Sequence, residues 1–336
     1  MIKMASLIPN AKVFSFEHHS LMMSRWKFLK HLPKWILDLS EVLTSERWDA
    51  IVTYSPSFCT WLACFLPNSI VHLGGIPEER PKTLWRLIKL DWPLHRALKR
   101  ARQVWFNDAP EVEAYSRKYC PKNSFLVSNS IDTDLFMPIS FDMKETFKER
   151  MGLFSSFVIG IIGPFDSVYN MDGLIWLWGR RKHLPQGSKV LAIGDHGKLE
   201  MQEDPIVRFT GLLSDKKYVE ALQTLDILIV PRFVKTYCPQ GKVLEAMSCG
   251  IPVVMTDMAT LPMGAEDGKH LFVTNVPHAF FDHGDFMHSI FMNRIDCLES
   301  SAALRARMGS EARDLIVKNY SFKTMKREID LALSSL

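Results

Sequence analysis

The sequence predicts an α/β protein with parallel sheets, and the pattern in residues 226–256 is the main reason. Residues 227–230 and 252–255 are short apolar runs of the kind that form buried strands. Between them, residues 242–247 are rich in helix-forming side chains and precede Gly250, a typical helix stop. Strand, helix and strand in this order form a βαβ unit, which belongs in a parallel sheet. A chain of 336 residues is long enough for two domains of this kind.

The composition is that of an ordinary globular protein in a reducing compartment. Apolar residues make up 47% of the chain and charged residues 23%. The net charge of +4 is too small to indicate nucleic-acid binding by itself. The six cysteines form no C-x-x-C pair and no metal-ligand spacing, which predicts reduced, mostly buried thiols and no metal site. No signal peptide or membrane-spanning apolar run is visible, so we expect a cytoplasmic protein.

The loop before the central helix has the features of an anion site. In open parallel sheets, ligands bind beyond the carboxyl ends of the strands. Gly241 lets the backbone approach a ligand closely, and the helix that begins there directs free N–H groups and a partial positive charge outwards. Lys242 adds a formal charge at the same end. Glu245, about one turn further along, can accept two hydrogen bonds at once, which suits the vicinal diol of a ribose.

Two segments resemble the motifs of a known enzyme family. Residues 242–254, K-V-L-E-A-M-S-C-G-I-P-V-V, are similar to the K-x-L-E-A-M-A-x-G-x-P-V-V motif of retaining glycosyltransferase family 4, the glycosyl transferases group 1. Residues 129–138, N-S-I-D-T-D-L-F-M-P, resemble the family's N-G-V-D-x-x-x-F-x-P segment at about the required spacing. The alternatives are a βαβ crossover that binds no nucleotide and an Asx-rich turn after a strand.

The resemblance implies the GT-B fold, in which two Rossmann-like, doubly wound parallel-sheet domains face each other across an interdomain cleft. Residues 1–140 would form an N-terminal, acceptor-side domain that is shortened at its start. Residues 141–319 would form a C-terminal domain that binds the nucleotide-sugar, and the interdomain linker is expected near residues 139–147. Residues 320–336 would form a helix that crosses back to the N-terminal domain.

The resemblance also implies an activity. A sugar would pass from a UDP- or GDP-sugar to a glycan, lipid-linked or other hydroxyl acceptor with retention of configuration. No cofactor and no essential metal are expected, because positive groups of the protein would stabilise the departing diphosphate, which helps to deprotonate the acceptor. The candidate donor-binding residues are Gly163, Lys235, Gly241, Lys242, Glu245, Glu266 and Gly268, and the candidate catalytic residues are His72, Arg232 and Lys242.

The resemblance gives several of these residues separate roles. Glu245 would hold the ribose, whereas Gly241 and Lys242 would bind the diphosphate. Glu266 and Gly268 belong to a loop that resembles the one facing the donor sugar. His72 is similar to a strand histidine that lies close to the reacting sugar in the family, and the alternative is a structural histidine.

The chain departs from the family pattern at several places. Where the family has an arginine and a lysine that hold the diphosphate, this chain has Pro164 and Asp172. Where many members have a first glutamate, eight positions before the second, it has Tyr237, and the usual first strand with its Gly-Gly loop is missing. Arg232 and Lys235 are the candidate replacements for the lost cations, and the alternative is that both are surface residues.

These departures support a second interpretation, in which a non-catalytic GT-B protein binds a sugar nucleotide or a protein partner. The intact helix around Glu245 favours the enzyme, because a chain without a nucleotide has no need of that arrangement. A sugar-nucleotide epimerase of similar fold is disfavoured, since the Glu245 motif resembles the transferases.

Two basic stretches suit contact with an anionic surface. Residues 21–43 and 81–102 carry clustered lysines and arginines with interleaved aromatic side chains. They could place the protein peripherally on the inner membrane face or bind a lipid-linked acceptor, and the alternative for both is a solvated helix face. Neither lies within a recognisable nucleic-acid-binding motif, so no nucleic-acid partner is predicted.

Overall fold

The computed structural model divides the chain into two compact units. The described residues are 51–55, 69–73, 92–107, 123–165, 168–195, 204–233, 235, 240–276 and 284–336, with scattered positions before residue 51. The first unit comprises residues 1–129 and 323–336, and the second comprises residues 130–322. The sequence pattern predicted boundaries at residues 140 and 319.

Strands and helices alternate along most of the described chain. In chain order the elements are β1 (Ile51–Ser55), β2 (Ser69–Leu73), α1 (Trp92–Arg100), β3 (Gln103–Phe106), β4 (Ser124–Leu126), α2 (Phe141–Arg150), β5 (Val158–Ile162), α3 (Val168–Arg180), a 3-10 turn (Arg181–His183), β6 (Lys189–Ile193), β7 (Val207–Phe209), α4 (Asp215–Gln223), β8 (Ile227–Val230), α5 (Gly241–Ser248), β9 (Val253–Thr256), β10 (Phe272–Thr274), α6 (Gly284–Ser300), α7 (Ala302–Tyr320) and α8 (Phe322–Leu333).

The first unit contains a parallel sheet in the order β1-β2-β3-β4 among its described strands. Strands β2 and β3 are buried along their whole length, as their continuous apolar runs require. The last helix, α8, packs on this sheet, because its Ile329 and Ala332 share a core cluster with Ile70 and Trp105. A hydrogen bond of 2.6 Å from Nε2 of Gln103 to the carbonyl of Ala332 fixes the end of the helix.

The second unit contains a parallel sheet in the order β10-β9-β8-β5-β6-β7 among the described strands. The chain starts in β5 and adds β6 and β7 on one side, then returns and adds β8, β9 and β10 on the other. The direction therefore reverses between β5 and β8. Such a reversal is a topological switch point, where open α/β sheets bind ligands beyond the carboxyl ends of the strands.

Helices cover both faces of this sheet, so the unit is doubly wound. Side chains alternate along each strand, and in β8 Leu228 faces one core cluster while Ile229 faces the other. The first cluster includes side chains of α4, α5 and α7, and the second includes side chains of α3 and α6. The central strands are buried throughout, which matches the apolar runs in the sequence.

Helix α5 begins and ends as the sequence predicts. It spans Gly241–Ser248, and Gly250 follows its C-cap with φ of +71°, a conformation that glycine adopts without strain. A side chain at Gly309 would place its Cβ 2.0 Å from the carbonyl oxygen of Gly250. The end of α5 and the helix α7 can therefore pack this closely only because Gly309 has no side chain.

An ion-pair cluster fixes the amino ends of the central strands. The carboxylate of Asp226 accepts from the ammonium groups of Lys144 and Lys148 at 2.8 Å each, and from the N–H of Val158 at 2.8 Å. Burial alone would raise the pKa of Asp226, but the two lysine charges lower it. The cluster borders a cavity of about 620 Å³ at the end of the sheet opposite to the switch point.

Several expectations differ from the structure or concern residues that the structure does not describe. Residues 139–147, expected as a linker, lie largely in α2, whose N-cap Ser140 accepts a hydrogen bond from the N–H of Met143. Of the described cysteines, Cys249 is buried and Cys297 is exposed, and both are free. Among the described residues, no helix has the length and apolar character needed to cross a membrane. The expectations at residues 11–16, 58–66, 74–75 and 110–118, at Tyr237, and over most of 21–43 and 81–91 lie outside the described residues.

Candidate functional site

The candidate site lies in the second unit, where the loops after β5 and β8 meet the start of α5. Gly163 directly follows β5, and Pro231 and Arg232 directly follow β8. A Cβ on Gly163 would lie 2.4 Å from the Asn170 side chain, and a Cβ on Gly173 would lie 2.4 Å from the carbonyl of Pro231. Glycine at these two positions thus lets α3 pack closely against both loops of the switch point.

The first turn of α5 presents backbone donors. Its N-cap, Gln240, makes no capping hydrogen bond with its side chain. Among the described residues, and apart from its chain neighbours and the backbone of its own helix, the Oε1 atom of Glu245 is the only atom within 4 Å of where a Cβ on Gly241, at the first helical position, would be, at 3.9 Å. No described side chain therefore covers the helix start, and its N–H groups and partial positive charge favour an anion.

Lys242 places an ammonium group inside this site. Its Nζ donates to the carbonyl of Ile162 at the end of β5, and to Oδ1 of Asn170 on α3 at 3.0 Å. Burial, followed by the positive charge of Arg232, lowers the pKa of Lys242 to about 7. Within the described part of the chain, no carboxylate forms an ion pair with Lys242. A buried cation in this situation favours binding of an anion.

Arg232 is a second buried cation close to the first. Its backbone N–H donates to the hydroxyl of Thr256 at 2.9 Å, and that hydroxyl donates back to its carbonyl at 2.7 Å. Its Nη2 donates to Oε1 of Gln240 at 3.0 Å, which ties the loop after β8 to the start of α5. The residue is only 8% exposed, and burial lowers its pKa to about 10, so it stays charged at neutral pH.

The carboxylate of Glu245 lies one turn into α5 and is held by a tyrosine. The hydroxyl of Tyr218, on α4, donates to Oε2 of Glu245 at 2.6 Å. Burial, and then the negative charge of Glu245, raises the pKa of Tyr218, so the phenol stays protonated. Glu245 therefore presents a carboxylate held through Oε2 one turn into α5, with Oε1 on the side of Gly241.

The remaining donor-site candidates are more exposed. Lys235 is exposed, and its Nζ donates to the carbonyl of Asp257 at 2.8 Å. The exposed carboxylate of Glu266 lies 3.6 Å from Nζ of Lys269. Gly268 has φ of +77° and its N–H donates to the carbonyl of Leu271, which makes the turn of this loop. The structure thus brings Arg232 and Lys242 to the start of α5, places Glu245 one turn further along the helix, and leaves Lys235 on the surface.

His72 belongs to the first unit and is almost completely buried there. It lies near the end of β2, is 2% exposed, and meets Trp105 edge to face with ring centroids 6.2 Å apart. Burial lowers its pKa to about 4, although hydrogen bonds with the Val127 backbone and the Asn107 side chain act in the opposite direction. His72 is therefore neutral at physiological pH.

Two of the positions that depart from the family motif, Pro164 and Asp172, are described in the structure. Pro164, which follows Gly163, is exposed, and Asp172 lies half-buried in the second turn of α3. Neither can supply a cation, whereas the buried Arg232 can. Among the described residues, no group of three or more His, Cys, Asp or Glu side chains is arranged to hold a metal ion.

Three residues of the site were not found from the sequence. Asn170 links the loop after β5 to Lys242, because its Nδ2 donates to the carbonyl of Pro164 at 3.1 Å while its Oδ1 accepts from Nζ. Tyr218 holds Glu245, and Gln240 holds Arg232. Each acts through a contact that joins different elements, so local periodicity contains no signal for it.

The fold is that of GT-B glycosyltransferases. The chain is similar to HepE of Anabaena in complex with UDP and glucose, at 19% identity over 91% of this chain and 83% of that chain, with a TM-score of 0.72. It is also similar to sucrose-phosphate synthase of Thermosynechococcus elongatus, at 14% identity over 97% and 86%, with a TM-score of 0.70. A glycosyltransferase of Rickettsia africae matches at 14% identity over 96% and 84%, with a TM-score of 0.66. A search of curated proteins found no match.

A family model matches part of the second unit. Residues 156–284 match the model of the family described as Glycosyl transferases group 1. This range contains β5 to β10 and all the residues that converge on the start of α5. The second unit therefore contains a glycosyl transferases group 1 domain, in a chain that has the GT-B fold.

Proposed function

We propose that this protein transfers a sugar from a nucleoside diphosphate sugar to a hydroxyl group, with retention of the anomeric configuration. The observation that carries the proposal is the arrangement at the start of α5. The buried Arg232 and the half-buried Lys242 lie at the start of α5, and the carboxylate of Glu245 follows one turn later. Cations and helix N–H groups suit a diphosphate, and a carboxylate one helical turn further along suits the ribose.

In the proposed reaction, the site acts mainly on the leaving group. As the bond between the anomeric carbon and the diphosphate breaks, negative charge grows on the phosphate oxygen. Lys242, Arg232 and the N–H groups of α5 stabilise that charge, because donors that are already in place need no reorganisation when the charge develops. The departing oxygen takes the proton of the acceptor hydroxyl, which attacks from the same face. This chemistry needs no enzymic nucleophile and no metal, so activity should persist in excess EDTA.

UDP and GDP sugars are the donor candidates to test first. The HepE structures contain UDP, glucose or UDP-glucose, which supports beginning with the uridine nucleotide. A glycan or a lipid-linked glycan is the proposed acceptor, with Glu266 and Gly268 on the sugar side of the donor. We also propose that the basic stretches contact a membrane surface peripherally and that the protein is cytoplasmic.

The first experiment is calorimetric titration of the full chain with UDP, GDP, ADP and their sugars. Binding of one nucleotide that is lost in Glu245→Ala would support the proposed site. Glu149→Ala is the matched control, because Glu149 is exposed on α2 in the same unit, away from the switch point. Donor hydrolysis or transfer to any acceptor would exclude a non-catalytic binding protein. If the folded protein bound none of these nucleotides, the proposal would be wrong.

A further inference from the structure

The ammonium group of Lys242 is held by two neutral acceptors from other elements of the second unit. Its Nζ donates to the carbonyl of Ile162, at the end of β5, and to Oδ1 of Asn170, on α3, at 3.0 Å. An ammonium group has three N–H donors. Two of them are thus engaged with groups that carry no charge, so the position of Nζ is restricted while its charge is kept.

The side chain of Asn170 is itself fixed in one orientation. Its Nδ2 donates to the carbonyl of Pro164 at 3.1 Å, so the amide spans the loop after β5 from the first turn of α3. A Cβ on Gly163 would lie 2.4 Å from Cγ of Asn170, which shows how closely the amide packs on the backbone of this loop. A flipped amide would place its N–H₂ group against the ammonium of Lys242. The acceptor Oδ1 therefore has to face Nζ.

A neutral acceptor suits this position better than a carboxylate does. A carboxylate at residue 170 would form an ion pair with Lys242 and would compete with an anionic ligand for its charge. The like charge of Arg232 repels the ammonium group, and a flexible four-carbon side chain would move away if nothing held it. A lysine that is already ordered also loses less conformational freedom when an anion binds.

We infer that Asn170 is a positioning residue, which orders the ammonium group of Lys242 for the diphosphate of a nucleotide without neutralising it. The inference rests on the proposed function, because it requires a diphosphate at the start of α5. It adds to the site a residue of α3, far in sequence from the segment that carries Lys242 and Glu245.

The test is a double-mutant cycle on the full chain, with the dissociation constant for UDP as the measurement (or for GDP if that nucleotide binds). Asn170→Ala should weaken binding about five-fold, because the ligand then has to order the lysine side chain. In the Lys242→Met background the same substitution should change the dissociation constant less than about two-fold, since no ammonium group is left to position. Ligand-observed NMR measures the weaker dissociation constants of that background. Asn293→Ala, at an exposed position of α6 in the same unit, is the control and should leave binding unchanged.

Asn170→Asp provides a second measurement, which a change in loop packing alone would not affect. The substitution is nearly isosteric and brings a carboxylate to the ammonium group of Lys242. An opposite charge so close raises the pKa of Lys242, so the lysine is already protonated in the free protein at pH 8. UDP binding by Asn170→Asp should therefore take up less proton at pH 8 than binding by the wild type, as measured by calorimetry in two buffers of different ionisation enthalpy.

The outcomes separate the inference from the function on which it rests. A loss of affinity in Asn170→Ala that disappears in the Lys242→Met background, together with a lower proton uptake in Asn170→Asp, supports the inference. Equal losses in both backgrounds, or no loss in either, overturn it, while nucleotide binding by the wild type still supports the proposed function. If the wild-type protein binds no nucleotide, both are wrong. If Asn170→Ala does not fold, Asn170→Asp decides, and a proton uptake equal to that of the wild type overturns the inference.

Discussion

Raising the pH from 7 to 8 should weaken nucleoside diphosphate binding about five-fold, because it removes the proton of Lys242 in the free protein. Burial and the charge of Arg232 lower the pKa of Lys242 to about 7. A bound diphosphate is an opposite charge close to the ammonium group and raises its pKa again. The nucleotide therefore binds the protonated form, and binding takes up a proton.

The coupling between proton uptake and nucleotide binding sets the direction and the size of the change in affinity with pH. Below pH 7 Lys242 is already charged in the free protein, so it adds little pH dependence there. Above pH 7 the free protein loses the proton, and the affinity falls by up to about ten-fold for each further pH unit, as long as the complex keeps it. The uptake should be about 0.5 proton per nucleotide at pH 7 and about 0.9 at pH 8.

The assay is calorimetric titration in two buffers of different ionisation enthalpy, which measures the proton uptake directly. The measurements are made at pH 7 and above, because the second pKa of a phosphate group, near 6, adds its own protonation below that range. In Lys242→Gln the uptake should be lost, whereas Lys182→Gln, an exposed lysine of the same unit, should keep it. Binding by the wild type with no uptake at pH 8 and no change in affinity from pH 7 to 9 would refute the reasoning.

Three further predictions concern other parts of the chain. Arg232→Gln should weaken UDP binding at least ten-fold more than Lys235→Gln, because Arg232 is a buried cation and Lys235 is exposed; equal dissociation constants in a titration would contradict this. Asp226→Asn should lower the free energy of unfolding in urea by about 3 kcal/mol, since it takes this carboxylate away from the buried Lys148 and the half-buried Lys144, and the exposed control Asp330→Asn should stay within about 1 kcal/mol. His72→Gln should lower kcat without lowering Tm if the histidine acts near the sugar, and a fall in Tm with unchanged kcat would make it structural.

The regular part of the fold could be predicted from the sequence because the central strands of the second unit, β5, β8 and β9, are buried along their length. Strand β8 and helix α5 match the predicted segments to within one residue, and the stop at Gly250 is confirmed by its positive φ. Apolar runs, helix formers and a glycine stop are local signals, so a single sequence contains them. The family match over residues 156–284 confirms the resemblance on which the function was inferred.

The contacts within the site could not be predicted, because they connect elements that no local pattern relates. Lys242 meets Asn170 across 72 residues, and Tyr218 meets Glu245 across 27. The position of Arg232 could not be predicted from the sequence either. Its sequence neighbourhood allowed either a surface residue or a site residue. In the structure its backbone bonds to Thr256 and its guanidinium donates to Gln240, and these contacts join elements that are separate in sequence.

The departures from the family motif can be understood as a change in how the site obtains its charge. Pro164 and Asp172 stand where the resemblance implies two cations, and we propose that Arg232, which follows β8, replaces one of them. The repulsion between Arg232 and Lys242 then lowers the pKa of the lysine, so the empty site carries less than two full positive charges at neutral pH. A diphosphate reverses this, because it stabilises both cations at once. We therefore expect the full positive charge to assemble only when the donor binds, which limits the repulsion between the two cations in the free protein.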